Sequence, residues 1–374
     1  MLEQKRQGKE SKELQAPESL LAFPFYERGK PPRYFKYHSE VDYLDELERI
    51  WGKRWGAQGI GRLREVAVIR PTDVEVDPLF EKDPAFFNFD GVSPDLVKMQ
   101  EQHEKMADVY RENGVKVSYL TYPEKPRSAY GVMKRAISAA AGFVIRGGAI
   151  IPREATQYWR GRCKYITRFL VEMGCPILYT VHGKGVCEVG AFTRMADDFI
   201  VASLSTDCNM EGFQQVKPIL ERSGYEFIHL ASSPGPMDAF HEEQIGWMHS
   251  DMWIGPVDTD LAVVYPPFCD YETIRKLKEL DYTLIEVIKE EQTSLFPCNL
   301  VTLAPRKVMM IAGAKAASAA LRREGVDVIE VPYDEVLKYG GGLRCTTMQL
   351  IRDDGPRLSE RLPSKEKFEK SGGN

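Results

Sequence analysis

At 374 residues, with 43% hydrophobic and 28% charged residues, the chain has the balance of a soluble globular protein able to build one large core or two modest ones. A net charge of −5 argues against a nucleic-acid or anionic-membrane surface, and no apolar run approaches the roughly 20 residues that cross a bilayer. The charged opening Met1-Leu-Glu-Gln-Lys-Arg has no apolar signal segment, so a cytoplasmic address is expected.

Residues 1–20 are polar and aperiodic and read as a disordered tail; 361–374 read as a flexible one, leaving 21–360 as a single domain. Inside it one pattern recurs five times: an amphipathic helix, a Gly or Asp, then a short β-branched strand. The units are Asp95–Asn113 with Gly114 and Val-Lys-Val-Ser-Tyr-Leu, then Arg160–Met173 with Gly174 and Cys-Pro-Ile-Leu-Tyr-Thr. Glu211–Ser223 follows with Gly224 and Tyr-Glu-Phe-Ile-His-Leu, then Tyr271–Leu280 with Asp281 and Tyr-Thr-Leu-Ile-Glu-Val. The last is Lys315–Glu324 with Gly325 and Val-Asp-Val-Ile-Glu-Val. Glycine just past a helix suits a left-handed cap, and Asp tolerates that conformation. Apolar runs ahead of the helices read as strand pairs: Val66–Arg70, Gly142–Pro152, Ala191–Leu204, Met252–Tyr265 and Leu300–Ala312. A strand–strand–helix–strand unit cannot bury its sheet alone, so the copies must pack together. The spacing predicts an α/β fold in a closed ring, a five-bladed propeller with pseudo-fivefold symmetry.

The seven cysteines are odd in number, widely spaced and without a Cys-x-x-Cys pair, which speaks against a disulfide framework or a zinc site. Cys345 differs from the rest. It follows Gly340-Gly-Gly-Leu-Arg, where glycines let backbone approach a ligand, and Arg344 beside it favours a thiolate. His249 stands in His249-Ser-Asp, a spacing that puts His249 and Asp251 on one face of a strand; the imidazole can move protons and the carboxylate can hold an N–H-bearing group. Glu188 opens Glu188-Val-Gly-Ala. Singly, each has a bland reading: a structural cysteine, a chance His-x-Asp, a solvated turn acid. Together they occupy matching points between one unit's last strand and the next unit's first, and in a ring such points converge on the axis.

This pattern resembles the pentein superfamily of guanidino-modifying enzymes (arginine deiminases, dimethylarginine dimethylaminohydrolases and amidinotransferases) over roughly residues 60–355. Gly340-Gly-Gly-Leu-Arg-Cys-Thr-Thr-Met resembles the family's nucleophile loop, and His249-Ser-Asp before Asp258-Thr-Asp-Leu-Ala-Val-Val-Tyr-Pro its catalytic strand pair. Arg344 ahead of the cysteine is similar to the hydrolases rather than the transferases. The resemblance implies Cys345 as nucleophile, His249 as acid and base, and Glu188 as the catalytic carboxylate. It also implies Asp251 and Arg344 as substrate-binding, with no metal or other cofactor. The reaction implied is hydrolysis of a C–N bond in a guanidine, amidine, urea or amide through a covalent thio-intermediate. An amidinotransferase, or a non-catalytic binding protein of the same fold, stays open as an alternative. The family's guanidinium-binding Asp falls on Ser138-Ala-Ala-Ala-Gly here, which argues against free arginine unless Asp90 in Asn88-Phe-Asp-Gly fills that role. The expected partner is a small nitrogen-containing molecule, with no nucleic acid and no membrane; a homo-oligomer is left open.

Overall fold

The computed structural model describes residues 42–71, 95–122, 127–128, 131–132, 141–155, 157–233, 249–338 and 341–362. In chain order the elements are α1 (Tyr43–Trp51), β1 (Leu63–Ile69), α2 (Leu96–Glu112), β2 (Lys116–Leu120), a small hairpin of β3 (Arg127–Ser128) and β4 (Gly131–Val132), β5 (Phe143–Ile145) and β6 (Gly148–Ile151). Then come α3 (Gln157–Arg160), α4 (Arg162–Glu172), β7 (Ile177–Thr180), β8 (Phe192–Arg194), β9 (Phe199–Leu204), α5 (Met210–Arg222), β10 (Phe227–Ser232), β11 (Ile254–Asp258) and β12 (Leu261–Val264). The chain ends with α6 (Tyr271–Glu279), β13 (Thr283–Glu286), α7 (Lys289–Leu295), β14 (Val301–Ala304), β15 (Lys307–Ile311), α8 (Lys315–Arg323), β16 (Asp327–Val331), α9 (Asp334–Leu337) and β17 (Thr347–Arg352).

Each blade is a three-stranded sheet with an antiparallel inner pair and a parallel outer one. The blades are β17-β1-β2, β5-β6-β7, β8-β9-β10, β11-β12-β13 and β14-β15-β16. The parallel step needs a crossover, and α2, α4, α5, α6 and α8 supply one each. Those helices stop where the sequence says they should: Gly114, Gly174, Gly224 and Gly325 take φ of 74°, 80°, 106° and 76°, and Asp281 takes 58°. Asp95, Asn209 and Asp270 cap the starts of α2, α5 and α6 with their side chains.

Inner strands β17, β5, β8, β11 and β14 stand next to one another in ring order, helped by β1 against β14, and stacked Phe143 and Phe192 join the second blade to the third with ring centroids 5.1 Å apart. Their side chains are buried almost throughout, as in Phe143, Phe192, Ile254, Val301 and Leu350. The predicted five-bladed α/β propeller is the observed fold. The sequence reading lacked a partner for β1. That partner is β17, which lies beyond the glycine-rich Cys345 loop and brings the end of the ring back to its beginning, Val66 opposite Gln349 and Val68 opposite Thr347. From Leu47 onward the described residues belong to one compact unit. No helix among the described residues is long and apolar enough to cross a membrane.

Candidate active site

Inner strands β8, β11, β14 and β17 are each reached through a short segment on one side of the ring, and these segments carry the polar side chains. Glu188 is the N-cap of a 3-10 turn, Val189–Ala191, that leads into β8, and His249 is the N-cap of a matching turn, Ser250–Met252, that leads into β11. The two turns pack directly: Thr193 and Ser250 hydroxyls lie 2.8 Å apart, and the Ser250 hydroxyl donates to the Gly190 carbonyl at 3.4 Å. Gly190 is required by this approach. A Cβ there would sit 2.4 Å from Nδ1 and 2.5 Å from Cγ of His249.

His249 Nε2 lies 3.3 Å from Glu188 Oε2 and 3.3 Å from Asp207 Oδ2, with Glu188 4% and Asp207 6% exposed. Neither approach is aligned as a hydrogen bond, so the contact is one of charge, with Nε2 between two carboxylates. Burial opposes the imidazolium, but Asp207 and Glu188 outweigh it and hold the His249 pKa well above its usual value. Burial, reinforced by Glu154 and Asp207, pushes Glu188 up to about 7 against the pull of His249. The remaining Glu188 oxygen accepts the Ala155 amide at 2.8 Å. His249, Glu188 and Asp207 present one donor atom each within 4.8 Å. Three donors whose separations already suit an imidazolium between two carboxylates form an ion cluster, and we assign them so.

Cys345 precedes β17 and is partly exposed. Its Sγ is 3.8 Å from Met252 Sδ, which ties the cysteine to the segment that begins at His249. Asn299, at the start of β14, fixes the loop: Oδ1 accepts the Arg344 amide at 3.0 Å and the Cys345 amide at 3.3 Å, while Nδ2 donates to the Asp251 carbonyl at 3.2 Å. Gly342 is needed because a Cβ would stand 2.5 Å from that Oδ1.

Asp251 and Arg344 are turned on each other. The guanidinium bonds to Asp251 Oδ2 and donates to the Phe192 carbonyl at 2.9 Å, with both side chains buried. Burial and the nearby Arg194 draw the Arg344 pKa down to about 9. The pair is charge-neutral; Oδ1 of Asp251 is buried with no hydrogen-bond partner among the described residues. Asp90 and Ser138-Ala-Ala lie outside the described residues.

The structure thus gathers Cys345, His249, Glu188, Asp251 and Arg344 along one end of the ring. Sequence reasoning missed Asp207, which reads as a loop acid ahead of the α5 cap Asn209. It also passed over Asn299, although that residue stands in the segment that leads into β14, as Glu188 and His249 stand ahead of β8 and β11.

The model of the eukaryotic N,N dimethylarginine dimethylhydrolase family matches residues 188–352. A 2-nitroimidazole nitrohydrolase of Mycobacterium sp. (strain JS330) is 31% identical over 356 residues, covering 91% of this chain and 94% of that protein. The fold is shared with dimethylarginine dimethylaminohydrolase from Pseudomonas aeruginosa complexed with citrulline, with a TM-score of 0.59 at 19% identity over 77% of this chain and 99% of that one. It is shared too with the amidinotransferase SxtG of Microseira wollei, with a TM-score of 0.64 at 16% identity over 82% and 99%. The chain belongs to the pentein superfamily, on the side of its hydrolases of carbon–nitrogen bonds.

Proposed function

We propose that this protein is a cysteine hydrolase that displaces a nitrogen leaving group from the sp2 carbon of a small, neutral, amidine-like substrate, a 2-nitroimidazole being the model. The observation that carries this reading is the buried Asp251–Arg344 pair. A guanidinium entering the site meets a carboxylate already neutralised by an arginine, while Glu188 and Asp207 are engaged with His249. A planar ring with N–C–N geometry but no charge loses nothing by this. The identity to a nitrohydrolase across nine-tenths of both chains supports the same substrate class.

In the proposed mechanism the Cys345 thiolate adds to the carbon between the two ring nitrogens. His249 protonates a ring nitrogen as negative charge gathers there, and the nitro group leaves as nitrite with the bonding pair. The carbon is left bonded to sulfur and flanked by two N–H groups. Water adds, the thiolate departs, and a cyclic urea is released. Asn299 positions the nucleophile's backbone, and the Asp251–Arg344 pair fixes the angle between the His249 turn and the Cys345 loop.

The test is an assay of purified protein for nitrite from 2-nitroimidazole and for ammonia or amine from arginine, methylated arginine and agmatine, with Cys345→Ala as control. Nitrite release, lowered by several orders of magnitude in Cys345→Ala, is expected. Arginine turnover with kcat/KM inside the usual range of roughly 10⁴–10⁸ M⁻¹s⁻¹ overturns the substrate class. Full activity in Cys345→Ala overturns the mechanism, and an amidino group moved to an added amine makes the protein a transferase.

A further inference from the structure

The second carboxylate on His249 has no role in the chemistry above, and its placement is costly. Glu188 N donates to the Asp207 carbonyl at 2.8 Å and Asn209 N to the Val186 carbonyl at 3.0 Å, so the two segments run antiparallel with Cys187 opposite Cys208. Glu188 and Asp207 are therefore directly opposed, and their carboxylates share a face. Like charges in that relation destabilise a strand pair, more so when buried. Glu154 stands behind Glu188 as a third acid, paired to Arg162 at 2.6 Å. Such a cluster holds the His249 proton and still has room for another.

The reaction's proton balance shows why that room matters. Water brings two protons. One restores the imidazolium that His249 gave up to the ring nitrogen. An amine leaving a neutral amidine has already taken a proton of its own from the site, and the second water proton replaces that one. Nitrite leaves as an anion and takes none, so each turnover leaves one proton in the site: nitroimidazole plus water gives cyclic urea, nitrite and H⁺.

We propose that Asp207 is a positioning residue for this proton: facing Glu188 beside His249, it makes the Glu188 carboxylate the acceptor of the second water proton, and so adapts the site to leaving groups that depart as anions. The inference rests on the nitro-type substrate class proposed above. The raised Glu188 pKa, close to neutrality, agrees with it. The charged and titratable groups around Glu188 among the described residues are His249 and Asp207 in front, the Glu154–Arg162 pair and the Cys163 thiol behind, and the Cys187 and Cys208 thiols beside it.

The experiment has two arms. In the first, nitrite release from 2-nitroimidazole is followed against pH in the native protein, Asp207→Asn and Asp207→Glu. The native kcat should fall as pH drops through about 7, where Glu188 becomes protonated. Asp207→Asn should move that limb down by about one pH unit, as loss of a close like charge does. A base one unit weaker accepts a proton less readily, so Asp207→Asn should also lower the plateau kcat above the limb, by up to ~10-fold, with KM little changed, and Asp207→Glu should restore part of the rate. An unmoved limb with unchanged kcat overturns the proposal. The second arm needs neither substrate nor an Asp207 variant: Glu188 is titrated by carboxylate-carbon NMR in Cys345→Ser. A midpoint near neutrality supports the proposal, and one below about 5, the range of an ordinary Glu, sinks it. A native protein that releases no nitrite defeats the substrate class, and the NMR titration still decides whether Glu188 can accept a proton.

Discussion

Replacing Asp251 by Asn removes the charge that Arg344 holds while keeping the shape. Both side chains are buried, and the guanidinium's other described partner is the neutral Phe192 carbonyl. Burial already works against the Arg344 charge, so losing its counter-ion should cost about 3–5 kcal/mol, the range for breaking one side of a buried pair. At about 1.3 °C per kcal/mol for a chain of this size, Tm should drop by about 4–6 °C. The double variant Asp251→Leu with Arg344→Met removes both charges and should recover most of the loss, because two apolar groups leave no uncompensated ion. Urea denaturation of the native protein, Asp251→Leu, Arg344→Met and the double variant forms a cycle whose coupling energy should exceed ~2 kcal/mol. If Asp251→Asn is as stable as the native protein within ~0.5 kcal/mol, the two groups do not depend on each other. Asp251 is then free to grip a cationic substrate, and the argument for a neutral one falls.

Gly190→Ala should push the imidazole off the carboxylates, because the added methyl lies 2.4 Å from Nδ1; kcat should fall about 100-fold, a usual general acid–base contribution, and an unchanged kcat removes that contact from the mechanism. Because the folded-state pKa of His249 is raised, its contribution to stability is fully present below about 6.5 and is lost as pH climbs through the folded value. The stability advantage of the native protein over His249→Gln in urea should therefore shrink from pH 6.5 upward, and a gap that widens with pH contradicts the assignment. Thiolate and imidazole suffice for the proposed chemistry, so dialysis against EDTA should leave the rate unchanged. A loss restored by added Zn²⁺ reassigns Glu188, Asp207 and His249 to a metal.

The blades were legible because their signals are local. A helix, an obligatory left-handed residue and a β-branched run sit within some twenty residues of one another, and Gly114, Gly174, Gly224, Asp281 and Gly325 all take the predicted backbone. β17 was not, since Thr347–Arg352 has its partner at the far end of the chain. The same split runs through the site. Cys345, His249 and Glu188 stand out by glycine context and repeat position. Asp207 acquires meaning only when an antiparallel segment brings it opposite Glu188. Asp251 and Arg344 carry the right chemistry for a guanidinium clamp, and only the packing of the His249 turn against the Cys345 loop shows that each answers the other.

β17 also sets the order in which activity can appear during synthesis. Cys345, the proposed nucleophile, lies only two residues ahead of the strand that pairs with β1, and the first blade is incomplete until that strand has emerged. A growing chain can assemble four blades with His249, Glu188 and Asp207 already in place and still hold no working thiol. Reactivity arrives last, together with the ring closure that shelters it. A chain cut short anywhere before Arg352 lacks part of the closing strand, so incomplete products carry no assembled cysteine site to react indiscriminately in the cell.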